Sequence, residues 1–265
     1  MKNIARFALI LLVVLIAGSA FAEVNNAADL KNAKVGVEAG SSSELSIRDF
    51  LKDNRENIFT FESVWDVVEA LRAKKIDAAV IDETPARYFA VNYDDIKILP
   101  EALRTYLMGI AFKKGNSLRD EVNKALTELK DDGTLARTIA KYVGSEYTPD
   151  PSEIDLNKDA KNGKLWVGCS AVFPPYEIRT ERGFAGIDVE LCAAIAKKLD
   201  RELVMVDYRF ELLPEALETG RIDMICSAYT ISEARQEFMD FTEPYDADQE
   251  VIIVLKDNEQ EQPAK

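Results

Sequence analysis

"EALRAKKIDAAVIDE" (residues 69–83) and "EALETGRIDMICSA" (residues 215–228) are built alike. Each closes a helix, turns through basic residues and enters a buried strand at Ile-Asp. A helical period that gives way to a short apolar run marks a helix feeding a strand. Two such stretches far apart in one chain predict two lobes of similar construction. A second pair agrees: "KVGVEAGSSSE" and "KLWVGCSAVFPPYE" each run a first strand into a turn.

Short apolar strands and helical stretches alternate outward from these segments. "NIFTF", "ELVMVDY" and "IDMICSA" read as strands. "SVWDVVEALRAK" reads as a helix opened by a Ser cap, and "ELLPEALETG" as a helix with a Gly stop. "IDVELCAAIAKKL" spaces Ile187, Leu191, Ile195 and Leu199 by four, and "SELSIRDFLKDN" sets Leu45, Phe50 and Leu51 on or near one helical face. Alternating β and α units predict parallel sheets with helices on both faces. Residues 29–108 form one expected lobe and 109–250 the other. The polar, Pro-containing stretch 145–162 reads as a linker inside the second lobe. Residues 251–265 read as a strand returning to the first lobe and a frayed tail.

The 265 residues suit one large or two small domains. The start of the chain reads as a secretory signal: "MKNIAR" is basic, "FALILLVVLIAG" apolar, and "SAFAE" sets cleavage after Ala22. The apolar run falls short of the ~20 residues of a membrane span. The mature chain is therefore expected to be soluble and periplasmic. Its net charge is −14 before removal of Lys2 and Arg6, which speaks against nucleic-acid and anionic-membrane partners. With no histidine, zinc sites and histidine triads drop out, and neither metal nor cofactor is expected. Cys169 and Cys226 each end an apolar strand, so they are either two buried thiols or a disulfide. Cys192 lies on an apolar helical face.

"KLWVGCSAVFPPYEIRTERGFAGIDVELCAAIAKKL" with "ELLPEALETGRIDMICSAYTISEARQEFMDFTEPY" resembles the first half of the periplasmic amino-acid-binding proteins, the polar amino-acid receptors of ABC importers. "ADLKNAKVGVEAGSSSE", "IDAAVIDETPARYF", "YLMGIAFKKGN" and "LTELKDDGTLARTIAKYVG" resemble their second half. The order is swapped, as a circular permutation would leave it. The resemblance implies an α/β fold of two lobes, a circularly permuted Venus-flytrap periplasmic-binding-protein fold whose lobes are mainly parallel sheets flanked by helices. It implies a monomeric receptor, not an enzyme, that holds a free amino acid between the lobes and passes it to a permease.

Open parallel sheets bind at the carboxyl ends of their strands. Arg235 in "TISEAR" matches the family's carboxylate-gripping arginine, and Thr230 would add a hydroxyl and an N–H. The alternative for Arg235 is a surface ion pair with Glu233. Ser41, Ser42 and Ser43 open a helix, so they either meet the carboxylate at its positive end or simply cap it. Asp82 matches the family's ammonium-binding aspartate, or caps the next helix. Phe173 and Phe210 match the rings that sandwich the ligand, or fill the core. Glu38 and Ser170 match positions near the ligand's side-chain end, and Ser227 and Ala228 complete the expected set. Ser170 stands where receptors for basic amino acids tend to carry Asp, while Glu38 offers the lost charge or faces solvent. A polar or cationic ligand is favoured over an acidic one. The same fold also hosts dehydratases of prephenate-like acids, for which Glu38 or Glu83 would be the acid, and sensors for membrane receptors.

Overall fold

A computed structural model describes residues 22–52, 54–143 and 150–256. The expected signal segment up to residue 21, residues 145–149 of the expected linker, and the tail from 257 lie outside the described residues. In the first lobe β1 (Val35–Glu38), α1 (Ser42–Phe50), β2 (Ile58–Phe61), α2 (Val64–Arg72), β3 (Ala78–Asp82) and α3 (Glu83–Asn92) alternate, followed by the long β4 (Ile96–Met108). The chain then crosses to the second lobe with β5 (Ala111–Lys113), α4 (Leu118–Asp131), α5 (Thr134–Tyr142) and β6 (Lys164–Cys169). A small antiparallel sheet follows, of β7 (Val172–Phe173), β8 (Glu177–Thr180) and β9 (Gly183–Ala185). The second lobe continues through α6 (Ile187–Lys198), β10 (Glu202–Asp207), α7 (Leu213–Glu218), β11 (Met224–Ile225), α8 (Glu233–Gln236) and β12 (Met239–Phe241). Strand β13 (Asp246–Leu255) returns to the first lobe.

The two five-stranded sheets share one plan, β2-β1-β3-β13-β4 and β10-β6-β11-β5-β12. In each, the first strand is flanked in parallel by the second and third. Next to the third lies an antiparallel strand that follows a crossing between the lobes: β13 in the first sheet and β5 in the second. The echo between residues 69–83 and 215–228 is the sequence trace of this plan. The lobes are joined by two adjacent crossings, where Tyr245 N–H donates to Met108 O at 2.9 Å and Thr242 N–H to Ile110 O at 3.0 Å.

Local chemistry accounts for the helices. Ser63 caps α2 by accepting from Asp66 N–H, and Val64, Val67, Val68 and Leu71 bury one stripe of it. In α6, Ile187, Leu191 and Ile195 are buried as their spacing predicts. Helix α1 departs from expectation. Leu45 is 56% exposed and Phe50 43%, whereas Ile47, Leu51, Ser42 and Ser43 are buried. The inward stripe follows the helical phase from the Ser end through Ile47, and Leu45 and Phe50 fall outside it.

The expected linker is also more than a tether. From Asp150 onward it is stitched to the second lobe: Ile154 and Leu156 pack on the core, and Leu203 N–H donates to Leu156 O at 2.9 Å. Two apolar side chains in a polar stretch suffice to dock it. The three cysteines are free and buried, with the Cys226 thiol beside Cys192. No helix among the described residues is long and apolar enough to cross a membrane.

Candidate ligand cleft between the lobes

The carboxyl ends of β1 and β3 face those of β6 and β11. Among them lies a space of about 390 Å3, part of it open to solvent. Its walls include Glu38, Ser41, Ser42, Ser43 and Asp82 from the first lobe. The second lobe supplies Phe173, Phe210, Ser227, Ala228 and Thr230. Ten of the twelve residues expected at a site therefore line one cavity; Arg235 and Ser170 are not in its lining.

The first lobe contributes carboxylates and a helix start. Glu38 ends β1, is 5% exposed, and leaves Oε1 without a hydrogen-bond partner. Burial raises its pKa to about 8, helped by the nearby charges of Asp82, Glu211 and Asp66. Asp82 ends β3 and precedes α3, but its side chain caps nothing there. Burial raises it to about 8 as well, with Asp248 and Glu250 adding to the rise and Tyr106 and Arg235 opposing it. The two buried acids sharing one small cavity thus avoid an uncompensated buried charge by holding their protons, and a cation beside them would favour their charged form. Ser41 caps α1: its hydroxyl accepts from Glu44 N–H at 3.1 Å and donates to Glu38 O at 2.7 Å. Ser42 instead spans the cleft, its Oγ 3.2 Å from Thr230 Oγ1. Ser43 is buried against the cavity.

The second lobe contributes rings and the guanidinium. Phe173 and Phe210 are each 9% exposed and wall the cavity. Arg235 is buried, and its fork turns to two carbonyls rather than to Glu233. Nη1 donates to Thr230 O at 3.0 Å, and Nη2 crosses the cleft to Gly40 O at 3.2 Å. Its guanidinium lies 3.9 Å from the centre of the Tyr229 ring, a cation–π contact. Gly40 holds φ +74°, and a Cβ there would meet Glu211 Cβ at 2.9 Å, so glycine permits this close approach of the lobes. Arg209 and Glu62 pair across the same mouth at 2.8 Å.

Ser170 is buried with its hydroxyl unpartnered, and its N–H donates to Ser227 Oγ at 2.9 Å. Glu83 is not in the cavity; it pairs with Arg87 and accepts from Gln249. Several residues near the cleft escaped the sequence reading. Glu250, directly opposite Asp82 on β13, is fully buried and accepts from Ser46 Oγ at 2.5 Å. Glu177 and Asp188 are fully buried behind the turn that carries Ser227 and Ala228. Asp188 is the one with a legible signal, an acid inside the apolar helix "IDVELCAAIAKKL". No group of these acids among the described residues is arranged to hold a metal ion.

The sequence model of the bacterial extracellular solute-binding proteins, family 3, matches residues 47–145 and 165–263, most of the chain in two stretches. A probable histidine-binding protein of Campylobacter jejuni is 36% identical over 95 residues, covering 36% of this chain and 37% of that protein. The arginine-binding extracellular protein ArtP of Bacillus subtilis is 33% identical over 121 residues, 44% of this chain and 48% of that one. The L-cystine-binding protein TcyJ of Escherichia coli is 31% identical over 122 residues, 46% of each. The chain thus spans less than half the length of these relatives. Among solved structures, the arginine-bound form of domain 1 from TmArgBP is 39% identical, with a TM-score of 0.31, and covers 40% of this chain and 88% of that one.

Proposed function

The chain belongs to the bacterial extracellular solute-binding proteins of family 3, and from that premise we propose that it is a receptor for a free amino acid. The ligand is captured between the lobes by hinge closure and delivered to the permease of an ABC importer. One observation supports this above the others: a single cavity at the strand ends of two matching sheets joins two carboxylates, two phenylalanine rings and the start of α1. A zwitterion needs such a combination. In this reading Arg235 leaves its carbonyl partners for the ligand's carboxylate, joined by Thr230, Ser42 and Ser43. Asp82 takes the ammonium group. Phe173 and Phe210 cover the carbon skeleton and exclude water, which strengthens the polar contacts. Glu38 faces the side-chain end and favours a polar or cationic ligand. The histidine, arginine and cystine in the names of the relatives are of that kind.

Each lobe holds part of the ligand, so binding draws the two crossings toward the closed form. Both walls come from one chain, so a monomer suffices. The working site is the periplasm, reached through cleavage after Ala22. The family and its named relatives are binding proteins, which disfavours the dehydratase alternative.

The order of the halves is read as a circular permutation. Support comes from the shared sheet plan, in which the antiparallel strand beside the third is in each lobe the one that follows a crossing. Two separate matching stretches flanking the 145–162 segment also support it. Calorimetric titration with the twenty standard amino acids tests the function: tight binding of a polar or cationic member without turnover is expected. Absence of binding to all twenty overturns it. A chain reopened between residues 143 and 150, with its present ends joined, should fold and bind alike if the permutation reading holds.

A further inference from the structure

The turn after β11 is gripped from behind by two acids that the proposed function leaves without a role. Ala228 sits at φ +44°, the left-handed region that a side chain with Cβ rarely adopts. Its N–H donates to Asp188 Oδ2 at 2.7 Å, and the Tyr245 hydroxyl donates to the same oxygen at 2.9 Å. Beside it, Ser227 Oγ donates to Glu177 Oε1 at 2.5 Å and accepts from Ser170 N–H at 2.9 Å. Asp188 and Glu177 are both wholly buried, and Asp188 Oδ1 and Glu177 Oε2 have no other partner. Burial and the adjacent Asp188 charge push Glu177 upward.

What this grip fixes lies one to seven residues downstream. Tyr229 carries the Arg235 guanidinium on its ring, Thr230 O accepts from Arg235 Nη1, and Thr230 Oγ1 meets Ser42 across the cleft. Tyr245 lies on the second crossing, where its N–H donates to Met108 O. One carboxylate oxygen therefore ties the turn to a crossing between the lobes.

We infer that Asp188 is a positioning residue: it holds Ala228 in the left-handed turn that sets Thr230 and Arg235 toward the cleft, and it links that turn to the crossing through Tyr245. The binding consequence rests on the amino-acid reading; the backbone consequence does not. Asp188→Leu keeps the bulk and removes the acceptor. Its affinity for L-arginine as probe should fall at least about tenfold. Asp188→Asn, which still offers an oxygen to Ala228 and Tyr245, should retain most of it. Adding Ala228→Gly to Asp188→Leu should recover part of the loss, because glycine takes positive φ without the Cβ penalty. Amide hydrogen exchange at residues 227–230 of the empty protein should quicken in Asp188→Leu and slow again in the double variant. This readout decides the matter even when the wild type ignores arginine. Unchanged exchange in Asp188→Leu, or an Asn variant as damaged as the Leu one, overturns the inference. If Asp188→Leu does not fold, Tyr245→Phe removes one donor alone; faster exchange at Ala228 supports the role and unchanged exchange overturns it.

Discussion

The two lobes have the same strand order and opposite chemistry. In the first lobe β1 passes straight into α1, and the site receives a helix start with Glu38 and Asp82 at the strand ends. In the second lobe the small sheet β7-β8-β9 intervenes between β6 and α6, and its first strand carries Phe173. The turn after β11 then brings Ala228 and Thr230, with Arg235 stacked behind. One plan thus makes a carboxyl-rich wall on one side and an aromatic wall with a guanidinium beside it on the other. The lesson is that topology sets where a site falls, and the loops at the strand ends set which charge it wants.

The comparison can be broken from its strongest side first. Arg235→Ala removes the guanidinium beside the second wall and should weaken amino-acid binding about 100-fold or more by calorimetry, with the fold retained in circular dichroism. Phe210→Ala, which opens the aromatic wall, should cost about tenfold in the same titration. The carboxyl-rich wall is sharpened by pH. Asp82 rises from an ordinary 3.8, and Glu38 from 4.5, each to about 8, mainly through burial. Both hold their protons more tightly folded than unfolded, so each favours the fold fully below its unfolded value. That contribution is lost as pH rises from about 4 to about 8. The urea midpoint of the empty protein should fall across that window, and Glu38→Gln should flatten the fall. The smallest effect is expected at the surface of the first lobe. Leu45→Ala should move stability by less than about 0.5 kcal/mol in urea unfolding, because Leu45 is more than half exposed.

Asp82 was legible in its own right because strand-end positions are local and it closes an apolar run, whereas Glu38 and Ser170 entered through resemblance. Phe173 and Phe210 were legible only through resemblance, since period alone does not separate a core ring from a ligand-facing one. The acids behind the wall left little trace in the sequence, Asp188 alone by interrupting an apolar stretch. Glu177 follows a turn and Asp188 occupies the first turn of α6, where acids are commonplace on exposed helices. Only the packing of Tyr245, Ala228 and Ser227 around them makes them buried acceptors. Helix α1 misled for a related reason: the spacing pointed to one face with Leu45, Phe50 and Leu51, and of these only Leu51 is buried, beside Ile47, Ser42 and Ser43. Glu250 shows its role only through its pairing opposite Asp82, a contact that spans most of the chain.

The exchange of β5 and β13 has a consequence for dissection. A fragment ending at residue 143 would carry β5 for a sheet it lacks and would lack β13 for the sheet it has. The fragment from residue 150 would be short in the mirror sense. Neither half encodes a closed lobe, yet each holds the missing piece of the other. Two such halves, made separately, are suited to complementation: reassembly would require both strands to be traded at once, and an amino acid bridging the cleft would pull that trade toward completion.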